Sequence, residues 1–211
     1  MSSVSRETAS LNQGPATGEA AMLVGIQDAI ADRPGVLPAA RGLSHFGEHS
    51  LGWLALAGAG AYSAHRRGDT VARRRYIEAG AGAFVAHAAS VVIKRVVRRK
   101  RPNHPDIRIG VGTPSKLSFP SSHATSTTAA AILLGRATGK PGAQILVPAA
   151  IVPPMLLSRL VLGVHYPSDV AGGALVGALT AAAVIAAEAK CAEAKTAEAK
   201  STDARNRDSS K

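Results

Sequence analysis

The chain has 211 residues, a formal net charge of +11 and a mean hydropathy of +0.09, and this length fits one domain with its own core. The positive charge favours an anionic partner, with nucleic acid, anionic lipid and phosphate as the candidates. The single Cys191 excludes an intrachain disulfide framework and a CxxC metal or redox site.

The N-terminal region divides into a polar leader and an amphipathic segment. Residues 1–16 are rich in Ser, Thr, Gln and Gly and are predicted to be disordered, with no apolar stretch typical of a secretory signal. The segment Thr17–Ala31 carries apolar residues at helical spacing: Met22, Leu23, Ile26 and Ile30. This helix is too polar to span a bilayer, so it lies either along the membrane surface or on a helix bundle.

Five apolar runs follow: Leu51–Ala64, Ile77–Ile93, Ala124–Leu134, Ile145–Val164 and Val170–Ala187. A spanning helix needs about 20 mostly apolar residues, which the second, fourth and fifth runs supply and the first and third reach only with their neighbours. Small residues such as Gly80 and Gly82 favour close helix packing in lipid. We therefore predict an all-α integral membrane bundle of about five spans over residues 17–187. The alternative is a soluble, Ala-rich helical domain.

The C-terminal segment, residues 188–211, is of low complexity. The triplet Glu-Ala-Lys occurs at 188–190, 193–195 and 198–200. Such a sequence is typical of a solvated, partly helical extension, and we assign it no chemistry.

Three polar stretches lie at the ends of the apolar runs. They are Lys94-(six residues)-Arg101-Pro102, Pro120-Ser121-Ser122-His123, and Ser158-Arg159-(five residues)-His165-(three residues)-Asp169. Together they supply three permanent cations, two imidazoles, a carboxylate and a small-residue turn with free N–H groups. These groups suit a tetrahedral oxyanion. If neighbouring runs are antiparallel, all three stretches lie on one face of the bundle.

The cations have two interpretations. Lys94 and Arg101 are seven residues apart and share one helix face if the helix continues to Pro102. The other interpretation is a basic run that grips anionic lipid headgroups, which we prefer for the remaining members: Arg95, Arg98, Arg99 and Lys100.

The second stretch precedes the third apolar run. There Ser121 and Ser122 either bind an anion or simply cap the helix, and the two interpretations are compatible.

The two histidines are the chemical centre of the prediction. Imidazole titrates near neutrality and serves as a nucleophile or as a general acid. Asp169 follows His165 by four residues and can accept its Nδ1–H, which leaves Nε2 free to attack. Because cations surround His123 and His165, we predict no metal and no cofactor. A polar edge of His45, Glu48 and His49 precedes the first span and is a candidate cover for the site; His65, His87 and His104 receive no role.

The order and spacing of the three stretches resemble the type-2 phosphatidic acid phosphatase superfamily, which includes bacterial acid phosphatases and vanadium haloperoxidases. The resemblance covers roughly residues 45–185. The second stretch departs once, because the family usually has Pro-Ser-Gly-His and Ser122 replaces the glycine here. That glycine acts through its backbone N–H, which serine keeps.

The resemblance implies a role for each residue. His165 matches the nucleophile that forms a phosphohistidine, Asp169 its orienting partner, and His123 the acid that protonates the leaving oxygen and then activates water. The residues that match the cradle for the non-bridging oxygens are Lys94, Arg101, Ser121, Ser122 and Arg159.

The resemblance and the bilayer setting together predict a metal-independent lipid-phosphate phosphatase, a multi-pass protein of the cell membrane. The compact chain and the segment after Pro120 are similar to actinobacterial members proposed to act on decaprenylphosphoryl-5-phosphoribose in cell-wall arabinan synthesis. Undecaprenyl diphosphate, phosphatidylglycerophosphate and phosphatidate are the alternative substrates.

Remoter alternatives are a vanadate-dependent haloperoxidase and a non-enzymatic basic membrane protein. The sequence carries no nucleic-acid recognition motif, so we predict no nucleic-acid partner. Basic residues flank both ends of the spans, so the membrane face of the site stays open, as does the oligomeric state.

Overall fold

The computed structural model describes residues 14–208, and within that range the protein is all-α. Residues 1–13 of the predicted leader lie outside the described residues. The seven helices are α1 Gly18–Ile30, α2 Val36–Gly47, α3 Leu51–Arg66, α4 Thr70–Val97, α5 Ser122–Ala137, α6 Ala143–Val161 and α7 Pro167–Asp208. A short 3₁₀ turn, Glu48–Ser50, joins α2 to α3.

Helices α3 to α7 correspond to the five predicted apolar runs. Three segments are long and apolar enough to cross a membrane: Thr70–Val97, Ala143–Val161 and Pro167–Glu198. Helices α3 and α5 have 16 residues each, a length of about 24 Å, and reach across a bilayer only with neighbouring residues. The predicted membrane helical bundle is confirmed, with the number of spans approximate.

Helix α5 is the central helix of the bundle and packs against α4, α6 and α7. Small side chains make this packing possible, because Ala124, Ala129 and Ala130 are fully buried. A Cβ atom added at Gly177 of α7 would collide with the backbone of α5, and one at Gly82 of α4 would collide with Leu133. The close approach of backbones fixes the N-terminal end of α5 between the ends of its neighbours.

Helix α1 packs on the bundle rather than standing apart from it. Leu23 and Gln27 are fully buried, whereas Met22 is exposed, so the buried face differs from the predicted one. The Gln27 amide donates to the carbonyls of Arg108, at 2.7 Å, and Val161, at 2.9 Å, and it accepts the Arg108 N–H at 2.9 Å. Gln27 is buried because it satisfies backbone groups where a loop meets α6.

Helix α2 was not predicted from the sequence. It begins after Gly35, which has a left-handed backbone with φ of 83°. Pro38 lies in its first turn, where the missing N–H is tolerated because the first N–H groups of a helix have no intrahelical partner. Helix α2 carries Ser44 and His45 towards the site described below.

The C-terminal repeats continue α7 without a break as far as Asp208. Glu188, the first residue of the predicted extension, pairs with Arg75 at 3.2 Å and with Arg136 at 2.8 Å. The bundle therefore makes contacts at least as far as Glu188, at the end opposite the three motifs.

Candidate active site

A cavity of about 520 Å³ lies where the C-terminal end of α4, the N-terminal end of α5 and the α6–α7 loop meet. Six of the eight predicted site residues line it: Lys94, Arg101, Ser122, His123, Arg159 and His165. The other two, Ser121 and Asp169, are fully buried, and the Ser121 N–H donates to the Asp169 carbonyl at 2.9 Å. The structure thus brings all three motifs to one place.

Arg159 is the most deeply buried cation of the cavity, with 2% of its surface exposed. Among the residues that the structure describes, its Nε and Nη1 atoms find no hydrogen-bond partner. A buried guanidinium with unused donors is costly unless an anion completes it. The two unused donors of Arg159 are therefore suited to an anion in the cavity.

Arg101 reaches the cavity from a loop, not from a helix. Helix α4 ends at Val97 because Arg98 adopts a left-handed backbone with φ of 54°, a common helix ending. The condition for a shared helix face, a helix that continues to Pro102, is therefore not met. Carbonyls of Ser115, at 2.8 Å, and Val164, at 2.6 Å, hold the Arg101 guanidinium instead.

The held guanidinium lies beside one of the two histidines. Arg101 Nη1 is 3.2 Å from His165 Nε2. Burial lowers the pKa of Arg101 to about 10, while Asp169 acts to raise it. Arg101 therefore stays a cation at neutral pH, next to the atom predicted to attack.

Lys94 ties α4 to the loop before α5. Its ammonium group donates to the carbonyls of Ser118, at 3.1 Å, and of Pro120. An ammonium has three donors, so one remains for an anion in the cavity. Lys94 therefore both shapes the turn that leads to Ser121 and adds positive charge to the cavity wall.

The second motif forms the N-terminal end of α5. The Ser121 hydroxyl accepts the Ala124 N–H at 3.4 Å, which is the capping arrangement. The Ser122 hydroxyl hydrogen-bonds to the Ser90 hydroxyl of α4 at 2.7 Å, so serine fits where the family usually has glycine. The donors left for an anion are the first N–H groups of the helix, those of Ser122 and His123.

His123 is held by a helix that the sequence did not reveal. Its Nε2 lies 2.9 Å from the Ser44 carbonyl of α2. A carbonyl only accepts, so Nε2 carries the proton and Nδ1 is left for proton exchange. A Cβ atom at Gly47 would lie 2.7 Å from the His123 ring, which explains the small residue at the end of α2.

His165 and Asp169 lie close together, but their side chains form no hydrogen bond. The distance from His165 Nδ1 to Asp169 Oδ2 is 3.7 Å, and Nδ1 has no partner among the described residues. The predicted Nδ1–H bond is therefore absent in this conformation. The carboxylate is instead occupied at Oδ2 by the Tyr166 N–H, at 2.8 Å, because Asp169 lies in the first turn of α7.

Burial, followed by the charge of Arg101, lowers the pKa of His165 well below its ordinary value. The imidazole is therefore neutral at neutral pH. A neutral imidazole is the form that can attack phosphorus.

Arg99 was predicted to contact lipid headgroups, but in the structure it contacts groups of the protein. It donates to Asp169 Oδ1 at 2.9 Å and to Glu19 of α1 at 2.5 Å, and its guanidinium lies 4.4 Å from the centre of the Tyr166 ring. Arg98 and Lys100, by contrast, are exposed. The signal missed in the sequence was Glu19, the one acidic residue in the first turn of α1.

The predicted polar edge lies in the cavity wall, which includes His45, Glu48 and His49. His87, which received no role, lines the same cavity with its ring 5.9 Å from that of His49. Among the side chains that the structure describes, no group of His, Cys, Asp and Glu is arranged to hold a metal ion.

A helical membrane bundle with a cation-lined cavity that contains two histidines defines a membrane phosphohydrolase. The PAP2 superfamily model matches residues 75–192. Proteins of two Mycobacterium tuberculosis strains, both named decaprenylphosphoryl-5-phosphoribose phosphatase, are 61% identical over 165 residues, which is 78% of this chain and 88% of theirs. A protein of the same name from Mycolicibacterium smegmatis is 65% identical over 156 residues, covering 74% of this chain and 81% of its own.

The chain therefore belongs to the PAP2 superfamily, as the three motifs predicted. Its fold is similar to the crystal structure of a transmembrane PAP2 type phosphatidylglycerolphosphate phosphatase from Bacillus subtilis, with a TM-score of 0.64 and 20% identity. That likeness covers 89% of this chain and 94% of the other and concerns the fold alone. The protein is a membrane lipid phosphatase.

Proposed function

We propose that this multi-pass protein of the cell membrane hydrolyses the 5-phosphate of decaprenylphosphoryl-5-phosphoribose, without a metal ion, through a phosphohistidine. The observation that carries the chemistry is the buried Arg159, with two unused donors, in one cavity with His165. The substrate rests on the relatives of that name, 61% and 65% identical to this chain.

The first step is attack of His165 Nε2 on phosphorus. The N–P bond forms while the bond from phosphorus to the ribose 5-oxygen breaks, and the departing oxygen takes the Nδ1 proton of His123, which enters this step as an imidazolium and leaves it neutral. Arg101, 3.2 Å from the attacking nitrogen, and Arg159 neutralise the charge on the non-bridging oxygens. Backbone N–H groups of Ser122 and His123 complete the cradle.

The second step returns the enzyme to its starting state. Water attacks the phosphohistidine, His123 takes one proton from that water, and the N–P bond breaks. The products are inorganic phosphate and the dephosphorylated lipid, and His165 is again neutral. Asp169, 3.7 Å from His165 Nδ1, stabilises the positive charge that the ring carries while it is bonded to phosphorus.

Two features of the cavity wall suit the proposed substrate, which has a prenyl chain and a phosphodiester distant from the scissile phosphate. Val91 of α4 and Leu117 of the following loop give the wall an apolar part, where the prenyl chain enters. Arg95 lies in the same wall and is exposed, so it can meet the phosphodiester that joins ribose to the prenyl chain.

Phosphate release from purified protein in detergent tests this proposal. We expect kcat/KM to be highest for decaprenylphosphoryl-5-phosphoribose, compared with undecaprenyl diphosphate, phosphatidylglycerophosphate and phosphatidate. A higher kcat/KM for any of these three would contradict the proposed substrate. Loss of release from every lipid in His165→Asn protein is the control that assigns the activity to this site.

A further inference from the structure

The cavity has a second wall that the phosphate chemistry does not use. It is built by the last turn of α2 and the 3₁₀ turn after it, and its side chains are those of His45, Glu48 and His49. Lys94, Arg101 and Arg159 supply positive charge to the same cavity. Among the described residues that line the cavity, Glu48 is the one carboxylate.

Glu48 is placed to meet a ligand. Its side chain is 50% exposed, and its oxygens lie 4.0 Å from His45 Nδ1 and 3.9 Å from His49 Nδ1, beyond hydrogen-bond distance. Within residues 14–208 it makes no ion pair with a cavity arginine, although Arg159 lies in the same cavity. The carboxylate and the two imidazoles therefore keep their hydrogen-bonding capacity for a molecule in the cavity.

The backbone that presents these groups is unusual. His49 has φ of 49° and Ser50 has φ of 64°, so two consecutive residues other than glycine adopt the left-handed region. Such conformations are uncommon and concentrate at functional sites. This turn changes the chain direction between α2 and α3 and leaves His49 beside the cavity.

Charge decides which chemical group this wall accepts. A carboxylate repels a phosphate or a second carboxylate, whereas sugar hydroxyls donate to it and also hydrogen-bond to imidazole nitrogens. A ribose linked through carbon 1 and phosphorylated at oxygen 5 keeps hydroxyls at carbons 2 and 3. A cavity of about 520 Å³ is within the usual size of small-ligand sites.

We infer that Glu48, assisted by His45 and His49, forms a subsite for the hydroxyls of the sugar that carries the scissile phosphate. The subsite selects a phosphorylated sugar over a diphosphate, because a second phosphate directly next to the first would meet the carboxylate. This inference rests on the proposed function and names the residues that give it its specificity.

The test compares wild-type protein with Glu48→Gln. The substrates are decaprenylphosphoryl-5-phosphoribose, its analogue without the 2- and 3-hydroxyls, and undecaprenyl diphosphate. We expect Glu48→Gln to lower kcat/KM about tenfold for the ribose lipid, because hydrogen bonds to a charged group are lost. The analogue should be little affected, and kcat/KM for the diphosphate should rise relative to both.

The matched control is Glu78→Gln. Glu78 is paired with Arg74 at 2.7 Å near the start of α4, at the opposite end of that helix, so its removal should leave all three ratios unchanged. An equal effect of Glu48→Gln on the ribose lipid and the analogue would overturn the subsite. It would leave the phosphatase proposal intact.

A second measurement separates failure of the subsite from failure of the proposed substrate. Ribose 5-phosphate and 2,3-dideoxyribose 5-phosphate are compared as inhibitors, using whichever lipid phosphate the wild type cleaves. Stronger inhibition by ribose 5-phosphate that disappears in Glu48→Gln supports the subsite even if the ribose lipid is not the best substrate. Equal inhibition by the two sugars contradicts it.

Discussion

Arg99 donates to Asp169 Oδ1 at 2.9 Å, so the carboxylate four residues after His165 is held by a cation from the other side. Arg99 is itself held by Glu19 of α1 at 2.5 Å, and the same Glu19 accepts the Ser168 N–H at 2.8 Å. A helix outside the three motifs thereby fixes the start of α7. We expect Arg99 to act through Asp169 as a positioning residue.

Replacing Arg99 with alanine tests this role. The loss of a charged hydrogen bond should let the Asp169 carboxylate shift, and kcat should fall about tenfold or more while KM changes little. Arg99→Lys should recover part of the rate. The control is Arg98→Ala, because Arg98 is exposed and adjacent. Equal losses in the two alanine variants, or a change in KM alone, would contradict a positioning role.

Arg159 should determine how tightly the site binds its anion. Arg159→Lys keeps the charge but removes the planar fork of donors, so we expect vanadate and phosphate to bind about tenfold more weakly or worse. Competitive inhibition by each anion measures the effect. Arg136→Lys, at the far end of α5, is the control because Arg136 pairs with Glu188. Unchanged inhibition constants in Arg159→Lys would remove it from the cradle.

The lowered pKa of His165 makes stability depend on pH. The folded-state pKa of His165 lies below the ordinary value of 6.5. Between these two pKa values, His165 is protonated in the unfolded chain and neutral in the folded protein. The stability contributed by neutral His165 is present above pH 6.5 and is lost as pH falls, by at most about 1.4 kcal/mol per pH unit.

Thermal unfolding measured between about pH 7.5 and about pH 5 tests this effect. This range spans the ordinary pKa of histidine. The wild type should lose stability more steeply than His165→Asn, which has no group to titrate at this position. Parallel curves for the two proteins would show that His165 titrates normally in the fold.

The positive charge of the cavity predicts an enzyme that binds anions at its active site and needs no metal ion. Activity should survive EDTA, whereas vanadate should inhibit by occupying the position of the transferred phosphoryl group. Phosphate release with and without EDTA measures the first effect. If EDTA abolished activity and Mg²⁺ or Zn²⁺ restored it, the prediction that the cation-lined site works without a metal ion would be contradicted.

The sequence predicted the helical membrane bundle and the meeting of the three motifs, because apolar run length and antiparallel neighbours determine both. It did not predict the end of α4, because neither the left-handed backbone of Arg98 nor the pairing of Lys100 with Leu117 is visible in the apolar pattern. The buried Gln27 escaped prediction for a related reason. A polar residue is buried when distant backbone groups need it, and such partners are not visible in a periodic pattern.

The same limit applies to the residues around the motifs. Arg99 could not be separated from its exposed neighbours, because its partners Glu19 and Asp169 lie far away in sequence. The Ser44 carbonyl that fixes His123 belongs to a helix whose short apolar pattern, interrupted by Pro38, did not indicate a helix. Local composition therefore identifies the chemistry, while the contacts that orient it depend on the tertiary structure.

Trapping of the phosphorylated enzyme tests the central claim most directly. Purified protein is mixed with substrate carrying radioactive phosphate, quenched in alkali, which preserves phosphohistidine, and analysed by peptide mapping. The predicted result is label on His165 in the wild type, more label in His123→Asn because hydrolysis of the intermediate is slowed, and none in His165→Asn. Label on another residue, or turnover at the wild-type rate by His165→Asn, would contradict the proposed mechanism.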